Sequence, residues 1–97
     1  MLLQRGWSEG DIDPKVRISE SLSTDILLRR KGKPVALVEI KKDTKDIEPS
    51  IQQIRLMCKK ANIHFGYLIS ETGITEVNCS EDKTMKRQRF PLPGELK

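Results

Sequence analysis

Residues 25–41 constrain the fold most strongly, because two short apolar strands joined by a tight turn carry charges that a core strand normally lacks. The strands are predicted near residues 24–30 and 34–41, and Gly32 lies midway between Asp25 and Glu39. A hairpin symmetric about Gly32 sets Asp25 directly across from Glu39. Because charged groups are costly to bury, these acids need either a partner or a function.

Side-chain alternation groups the two acids with a lysine. It assigns the odd-numbered residues of the second strand to one face, namely Val35, Leu37, Glu39 and Lys41. Like charges directly opposite each other destabilise a sheet unless a cation bridges them. The residues therefore predict a divalent-metal site at Asp25 and Glu39, with Lys41 beside it to stabilise negative charge. The alternative is a surface hairpin with a structural ion pair between Lys41 and an acid.

The remaining chain predicts a compact α/β unit. A first strand is expected at 15–20, a helix at 47–61, and strands at 65–70 and 74–78, with residues 2–5 as the last turn of a helix closed by Gly6. One buried stripe of the helix comprises Ile47, Ile51, Ile54, Cys58 and Ala61. Gln52 is expected in solvent, whereas Gln53 lies at the edge of the stripe and could reach the acids. The intervening helix predicts that strand 65–70 runs parallel to a hairpin strand.

Composition narrows the class of protein. The 97 residues predict one small domain, and 36% hydrophobic with 33% charged residues is ordinary for a soluble protein. No apolar run is long enough for a membrane span, and nothing at the amino terminus resembles a signal peptide. The two cysteines lack metal-ligand spacing, and Cys58 is predicted to be a reduced core thiol. These features predict a cytoplasmic protein.

The charge distribution favours a polyanionic partner. The net charge is +4 and the pI is about 9.2. Basic residues cluster at the predicted turn, after the second strand and at the helix end, at Arg29, Arg30, Lys31, Lys33, Lys41, Lys42, Lys59 and Lys60. The alternative for each cluster is a solvated surface. Residues 80–97 are predicted to be a basic tail or to add an edge strand through residues 89–92.

Several of these segments resemble the PD-(D/E)xK nuclease superfamily, and more narrowly the amino-terminal nuclease domain of type I restriction enzyme R subunits. The matching segments are Gly6-Trp7, Val16-Arg17-Ile18, residues 24–28, residues 32–42, Gln53 and residues 65–73. The resemblance implies an α/β fold with a restriction-endonuclease-like (α)βββαβ core, a central mixed sheet flanked by helices. This core would span residues 1–79.

The resemblance also implies hydrolysis of DNA phosphodiester bonds with Mg²⁺ or Mn²⁺. The catalytic residues would be Asp25, Glu39, Lys41 and Gln53, and the metal ligands would be Asp25, Glu39 and the backbone carbonyl of Ile40. Contacts to nucleic acid would come from Arg29, Arg30, Lys33, Lys42 and Lys60. A non-catalytic module that binds nucleic acid or protein on the same fold is the alternative. Action on RNA and formation of a homodimer stay open.

Overall fold

In the computed structural model, the chain forms one six-stranded sheet with an α-helix packed on one face. The structure describes residues 6–20, 22–41, 46–71 and 73–91. After a 3-10 turn at Glu9–Asp11, the elements are β1 Ile12–Ser19, β2 Leu22–Arg30, β3 Lys33–Ile40, α1 Glu48–Ala61, β4 Phe65–Ser70, β5 Gly73–Asn78 and β6 Lys83–Arg87. The helical turn predicted at residues 2–5 lies outside the described residues.

The sheet is mixed, and its strands are ordered as they occur in the chain. Strands β3 and β4 are parallel because α1 carries the chain back between them, which confirms the prediction for residues 65–70. The other four neighbouring pairs are antiparallel. The α/β class with a mixed sheet is therefore confirmed. The predicted flanking by several helices stays a prediction, since the described ranges hold the single α-helix α1.

The β2–β3 hairpin turns at Lys31 and Gly32, whose φ values are +53° and +80°. Two residues with positive φ are typical of a tight type I′ turn, and the glycine adopts this conformation without strain. The register then shifts by one residue next to Leu28, where Val35 is the extra residue of a β-bulge. The prediction that Val35 shares a face with Leu37 is wrong for this reason, since Val35 packs on the opposite side of the sheet.

The helix face of the sheet holds the larger core. Its buried residues come from both layers and are Leu27, Leu37, Ile51, Ile54, Met57, Cys58, Ile63, Leu68 and Val77. The predicted helical stripe is confirmed, with Ile51, Ile54 and Cys58 fully buried. The helix stops at Asn62, which adopts the left-handed conformation common after a helix end. No helix in the described ranges is both long and apolar enough to cross a membrane.

The second face is covered by the chain segments before β1 and after β6. Trp7 and Phe90 are buried there, and the ring centroid of Phe90 lies 4.8 Å from that of Tyr67. The Trp7 indole N–H donates to the Pro91 carbonyl at 2.9 Å and so ties the two segments together. The part of the chain after residue 79 does add an edge strand, but this strand is β6 and lies earlier in the chain than the predicted residues 89–92. Leu92 lies outside the described residues.

We predict that Gly66→Ala destabilises the fold. A Cβ atom at this position would lie 2.2 Å from Cγ2 of Ile54 and 3.4 Å from Sγ of Cys58, so α1 would have to move away from β4. Overpacking of this kind costs about 1–3 kcal/mol. Urea unfolding measures the loss, and Gly10→Ala is the matched control because a Cβ there meets nothing within 4 Å. Equal stability of the two variants would contradict the close packing of α1 on β4.

Candidate active site

The main-chain ladder between β2 and β3 ends at the pair Ile26 and Val38, and two carboxylates extend the pairing beyond it. The backbone N–H of Asp25 donates to Oε1 of Glu39 at 3.3 Å. The backbone N–H of Ile40 donates to Oδ2 of Asp25 at 2.9 Å. Each acid thus binds an N–H group of the opposite strand. Asp25 and Glu39 lie side by side at the hairpin end farthest from the turn, as the register predicted.

Glu39 is an acid held in an unfavourable environment. Glu39 is only 5% exposed. Burial raises the pKa of the Glu39 carboxyl, and the neighbouring Asp25 charge raises it further. Hydrogen bonds from the Thr24 hydroxyl and the Asp25 N–H, and the Lys41 ammonium, act in the opposite direction without cancelling the rise in pKa. A cation bound between the two acids would offset the cost of burying the Glu39 charge and the repulsion between the two carboxylates.

The donor atoms at this site fit a hard divalent cation. Asp25 and Glu39 supply carboxylate oxygens, which Mg²⁺ and Mn²⁺ prefer. The Lys41 N–H donates to the Ile69 carbonyl of β4 at 2.9 Å, so the main-chain groups of Ile40 face the other way, towards β2. The carbonyl of Ile40 is therefore a third oxygen beyond the end of the ladder. The described residues contain no cluster of three or more Asp, Glu, His or Cys side chains suited to a metal, so water and substrate would complete the coordination.

Lys41 and Gln53 differ in how clearly the structure relates them to the two acids. Lys41 follows β3 directly and is half-buried, and its charge slightly opposes the rise in the pKa of Glu39. On α1, Gln52 is exposed and Gln53 half-buried, as predicted. The parallel crossover brings the amino end of α1 to the end of β3 that carries the acids. The Gln53 amide makes no hydrogen bond with the described residues, so its role stays a prediction.

The predicted nucleic-acid contacts are not grouped around the acids. Arg29, Arg30 and Lys33 lie at the turn end of the hairpin, and the six residue steps from Lys33 to Glu39 span about 20 Å. Arg29 already pairs with Asp13 and donates to the Gly32 carbonyl, whereas Lys33 is exposed. Lys60 is exposed in the last turn of α1, and Lys42 lies outside the described residues.

Sequence reasoning missed a buried acid on the second face. Glu76 is 8% exposed, and its Oε1 accepts a hydrogen bond from the Tyr67 hydroxyl at 2.7 Å. The Arg87 guanidinium binds the same oxygen at 3.0 Å. Tyr67 and Glu76 are direct partners across the β4–β5 hairpin. The predicted strands 65–70 and 74–78 left a three-residue turn, whereas β5 begins at Gly73, which pairs with Ser70. The length of this turn was therefore the signal that sequence reasoning misread.

Comparison with known proteins supports the fold. No family model matches this chain, and no curated protein sequence matches it. Its structure is similar to that of a fragment identified as a candidate HsdR subunit of a type I restriction enzyme from Vibrio vulnificus YJ016, with a TM-score of 0.71 and 23% sequence identity. The match covers 98% of this chain and 22% of that chain, so this chain spans under a quarter of its structural neighbour. At this identity the similarity shows a common fold, and it agrees with the restriction-enzyme resemblance of the sequence.

Proposed function

We propose that this chain is a metal-dependent nuclease domain that hydrolyses phosphodiester bonds of DNA. One observation carries the proposal: Asp25 and Glu39 lie side by side where the β2–β3 ladder ends, each bound to a main-chain N–H of the other strand. This arrangement fixes two acidic oxygen donors in a partly buried position. The common fold with the candidate HsdR fragment gives the proposal its substrate, DNA.

The residues divide the chemistry as follows. Asp25, Glu39 and the Ile40 carbonyl would hold Mg²⁺ or Mn²⁺, which would supply Lewis acidity and activate a water molecule for attack. The Lys41 ammonium stabilises the negative charge that develops on the attacked phosphate, since Lys41 is half-buried and directly follows the end of β3 that carries Glu39. Gln53 positions water or the DNA backbone from the amino half of α1.

The basic residues contribute to affinity and not to the chemical step. Arg30 and Lys33 at the turn end of the hairpin contact phosphates about 20 Å from the acids, a distance that a bound DNA duplex readily spans. Lys42 and Lys60 would add further phosphate contacts. Because phosphate contacts release counterions, binding is expected to weaken steeply with salt.

The second candidate is a non-catalytic module that binds nucleic acid on the same fold. It is favoured by the lack of a hydrogen bond between Gln53 and the acids, and by the absence of a group of three or more metal-binding side chains among the described residues. This module would show salt-dependent binding of DNA or RNA without cleavage, and its binding would not require a divalent cation.

We predict that Lys41→Met lowers the cleavage rate by about 10²–10³-fold, the typical effect of removing a group that stabilises transition-state charge. Cleavage of plasmid, linear duplex, single-stranded DNA and RNA is measured with Mg²⁺, Mn²⁺ or EDTA. Lys83→Met is the matched control, because Lys83 is exposed on β6 and pairs with Glu81. Metal-dependent cutting of DNA that only Lys41→Met removes supports the nuclease. Binding of DNA without cutting, by folded wild-type protein in every metal, supports the second candidate instead.

A further inference from the structure

Two cysteines that the proposed nuclease site does not use meet at the other end of α1. Cys58 lies near the carboxyl end of α1 and is fully buried, while Cys79 directly follows β5 and is half-buried. Cys79 packs against the core cluster that contains Cys58, and both cysteines line one surface pocket. The Cys79 thiol also donates a hydrogen bond to the Val77 carbonyl at 3.9 Å. The N–H of Cys79 donates to the His64 carbonyl at 2.8 Å, which fixes its main chain. Both thiols are free in the structure.

The two sulfur atoms are chemically unequal. The hydrogen bond to Cys79 and burial raise the pKa of Cys58, so Cys58 keeps its proton. The hydrogen bond from Cys58 lowers the pKa of Cys79, and the Arg55 guanidinium lowers it further, against burial and the Asp82 charge. Cys79 is therefore the better nucleophile of the pair, because the thiolate is the reactive form of cysteine.

A surface pocket gives small molecules access to this pair. It has a volume of about 470 Å³ and is lined by Arg55, Cys58, Lys59, Asn62, Ile63, His64, Cys79, Ser80 and Asp82. The pocket is separate from the carboxylate site, because neither Asp25 nor Glu39 lines it. His64 and Ser80 at its rim are exposed, so the pocket opens to solvent beside the half-buried Cys79.

We propose that Cys58 and Cys79 are an oxidation site at which hydrogen peroxide closes a disulfide between α1 and the end of β5. Cys79 supplies the attacking sulfur because it is the half-buried member of the pair and borders the pocket. Cys58 supplies the resolving sulfur from the core. A sulfenic acid with a second thiol in contact is converted to a disulfide before further oxidation.

The chemistry balances with peroxide as the oxidant. The Cys79 thiolate attacks one peroxide oxygen, the S–O bond forms, the O–O bond breaks, and the released hydroxide takes a proton to become water. The Cys58 sulfur then attacks the Cys79 sulfur, the S–S bond forms, and the S–O bond breaks. The departing hydroxide leaves as water with the Cys58 proton. In total, two thiols lose two hydrogen atoms and one peroxide becomes two water molecules.

The test treats the folded 97-residue chain with hydrogen peroxide and maps the cysteines by mass spectrometry without reduction. We expect a monomer that has lost two hydrogen atoms, a peptide pair joined through Cys58 and Cys79, and full reversal by dithiothreitol. The midpoint of thermal unfolding should rise by several degrees, because the disulfide closes a loop in the unfolded chain. A chain oxidised at Cys79 to the sulfinic acid, or joined to a second chain through Cys79, would overturn the proposal.

Two serine variants separate the two roles. In Cys58→Ser, the resolving thiol is absent, so dimedone is expected to trap a sulfenic acid at Cys79. In Cys79→Ser, thiol loss should slow by on the order of tenfold or more, because Cys58 is buried. Equal reactivity of the two variants would overturn the assignment of roles. If either variant fails to fold, the wild-type peptide map still decides whether the disulfide forms.

Discussion

Replacing Glu39 with glutamine is expected to raise the stability of the metal-free protein and to abolish its stabilisation by metal. Glu39 is almost fully buried beside Asp25, and like charges opposite each other in a sheet cost about 1 kcal/mol or less. A glutamine oxygen still accepts the Asp25 N–H, while its amide can donate to the Asp25 carboxylate. Differential scanning calorimetry in EDTA should show a rise in Tm of about 4–8 °C per kcal/mol.

Metal reverses this order of stability. Saturating Mg²⁺ or Mn²⁺ at about 100 times Kd stabilises a protein that binds it by about 2.7 kcal/mol, and only the wild type should gain this. Asp13→Asn is the control variant, because Asp13 lies on the neighbouring strand β1 and pairs with Arg29 of the hairpin. It should keep the stabilisation by metal. A variant at Glu39 that is stabilised by metal as strongly as the wild type would contradict the role of Glu39 as a ligand.

The stability gain of Glu39→Gln should also depend on pH. The folded-state pKa of Glu39 lies above its ordinary value of 4.5, so the folded protein disfavours the ionised carboxylate. The cost is therefore fully present above the folded-state pKa and shrinks as pH falls from that value towards 4.5. Below 4.5 the protonated glutamic acid is neutral like glutamine, and the two proteins should be equally stable. Unfolding curves in EDTA across this range test the sign.

Replacing Glu76 with glutamine is expected to have the opposite effect on stability. The Glu76 carboxylate binds Arg87 and Tyr67 on the buried second face, so its removal takes one charge partner from a largely buried guanidinium. Breaking one side of such a pair costs about 2–3 kcal/mol, below the fully buried case because the Arg87 side chain is 26% exposed. Chemical unfolding measures this loss directly.

Glu39 and Glu76 therefore form a matched pair of buried glutamates in one sheet. Glu76→Gln should retain stabilisation by metal, since Glu76 lies with Tyr67 on the face opposite α1. We expect Glu39→Gln to be stable without binding metal, and Glu76→Gln to bind metal with reduced stability. Loss of metal binding in a folded Glu76→Gln protein would show that the metal site depends on the second face.

The local pattern of the chain predicted most of the elements and the site register. Apolar runs bounded by turns predicted the strands, and the apolar repeat at helical spacing predicted α1. Both patterns arise because the side chains on the inner side of each element pack into a core. The pairing of Asp25 with Glu39 was predicted from a midpoint at Gly32. In the structure the turn centre falls between Lys31 and Gly32, and the bulge at Val35 supplies the remaining shift. The predicted register is therefore correct only because the bulge compensates for the different position of the turn centre.

Other features depend on contacts between distant segments, and no local pattern contains them. The burial of Trp7 against Pro91, and of Phe90 against Tyr67, joins the two ends of the described chain. The shift in pKa of Glu39 depends on how closely the sheet and α1 exclude water around it. The approach of Cys58 to Cys79 follows from the seating of α1 on β4 and β5, which brings together residues far apart in sequence.

The most direct test of the central claim locates a bound cation on the folded chain. Manganese is titrated into ¹⁵N-labelled protein, and the paramagnetic broadening of each amide signal is recorded. We expect the amides of Asp25 and Ile40 to broaden first, well before those of Lys31 and Gly32 at the other end of the same hairpin. Glu39→Gln should remove this preference. Broadening centred on the turn, or no selective broadening at any manganese concentration, would contradict a metal site at Asp25 and Glu39.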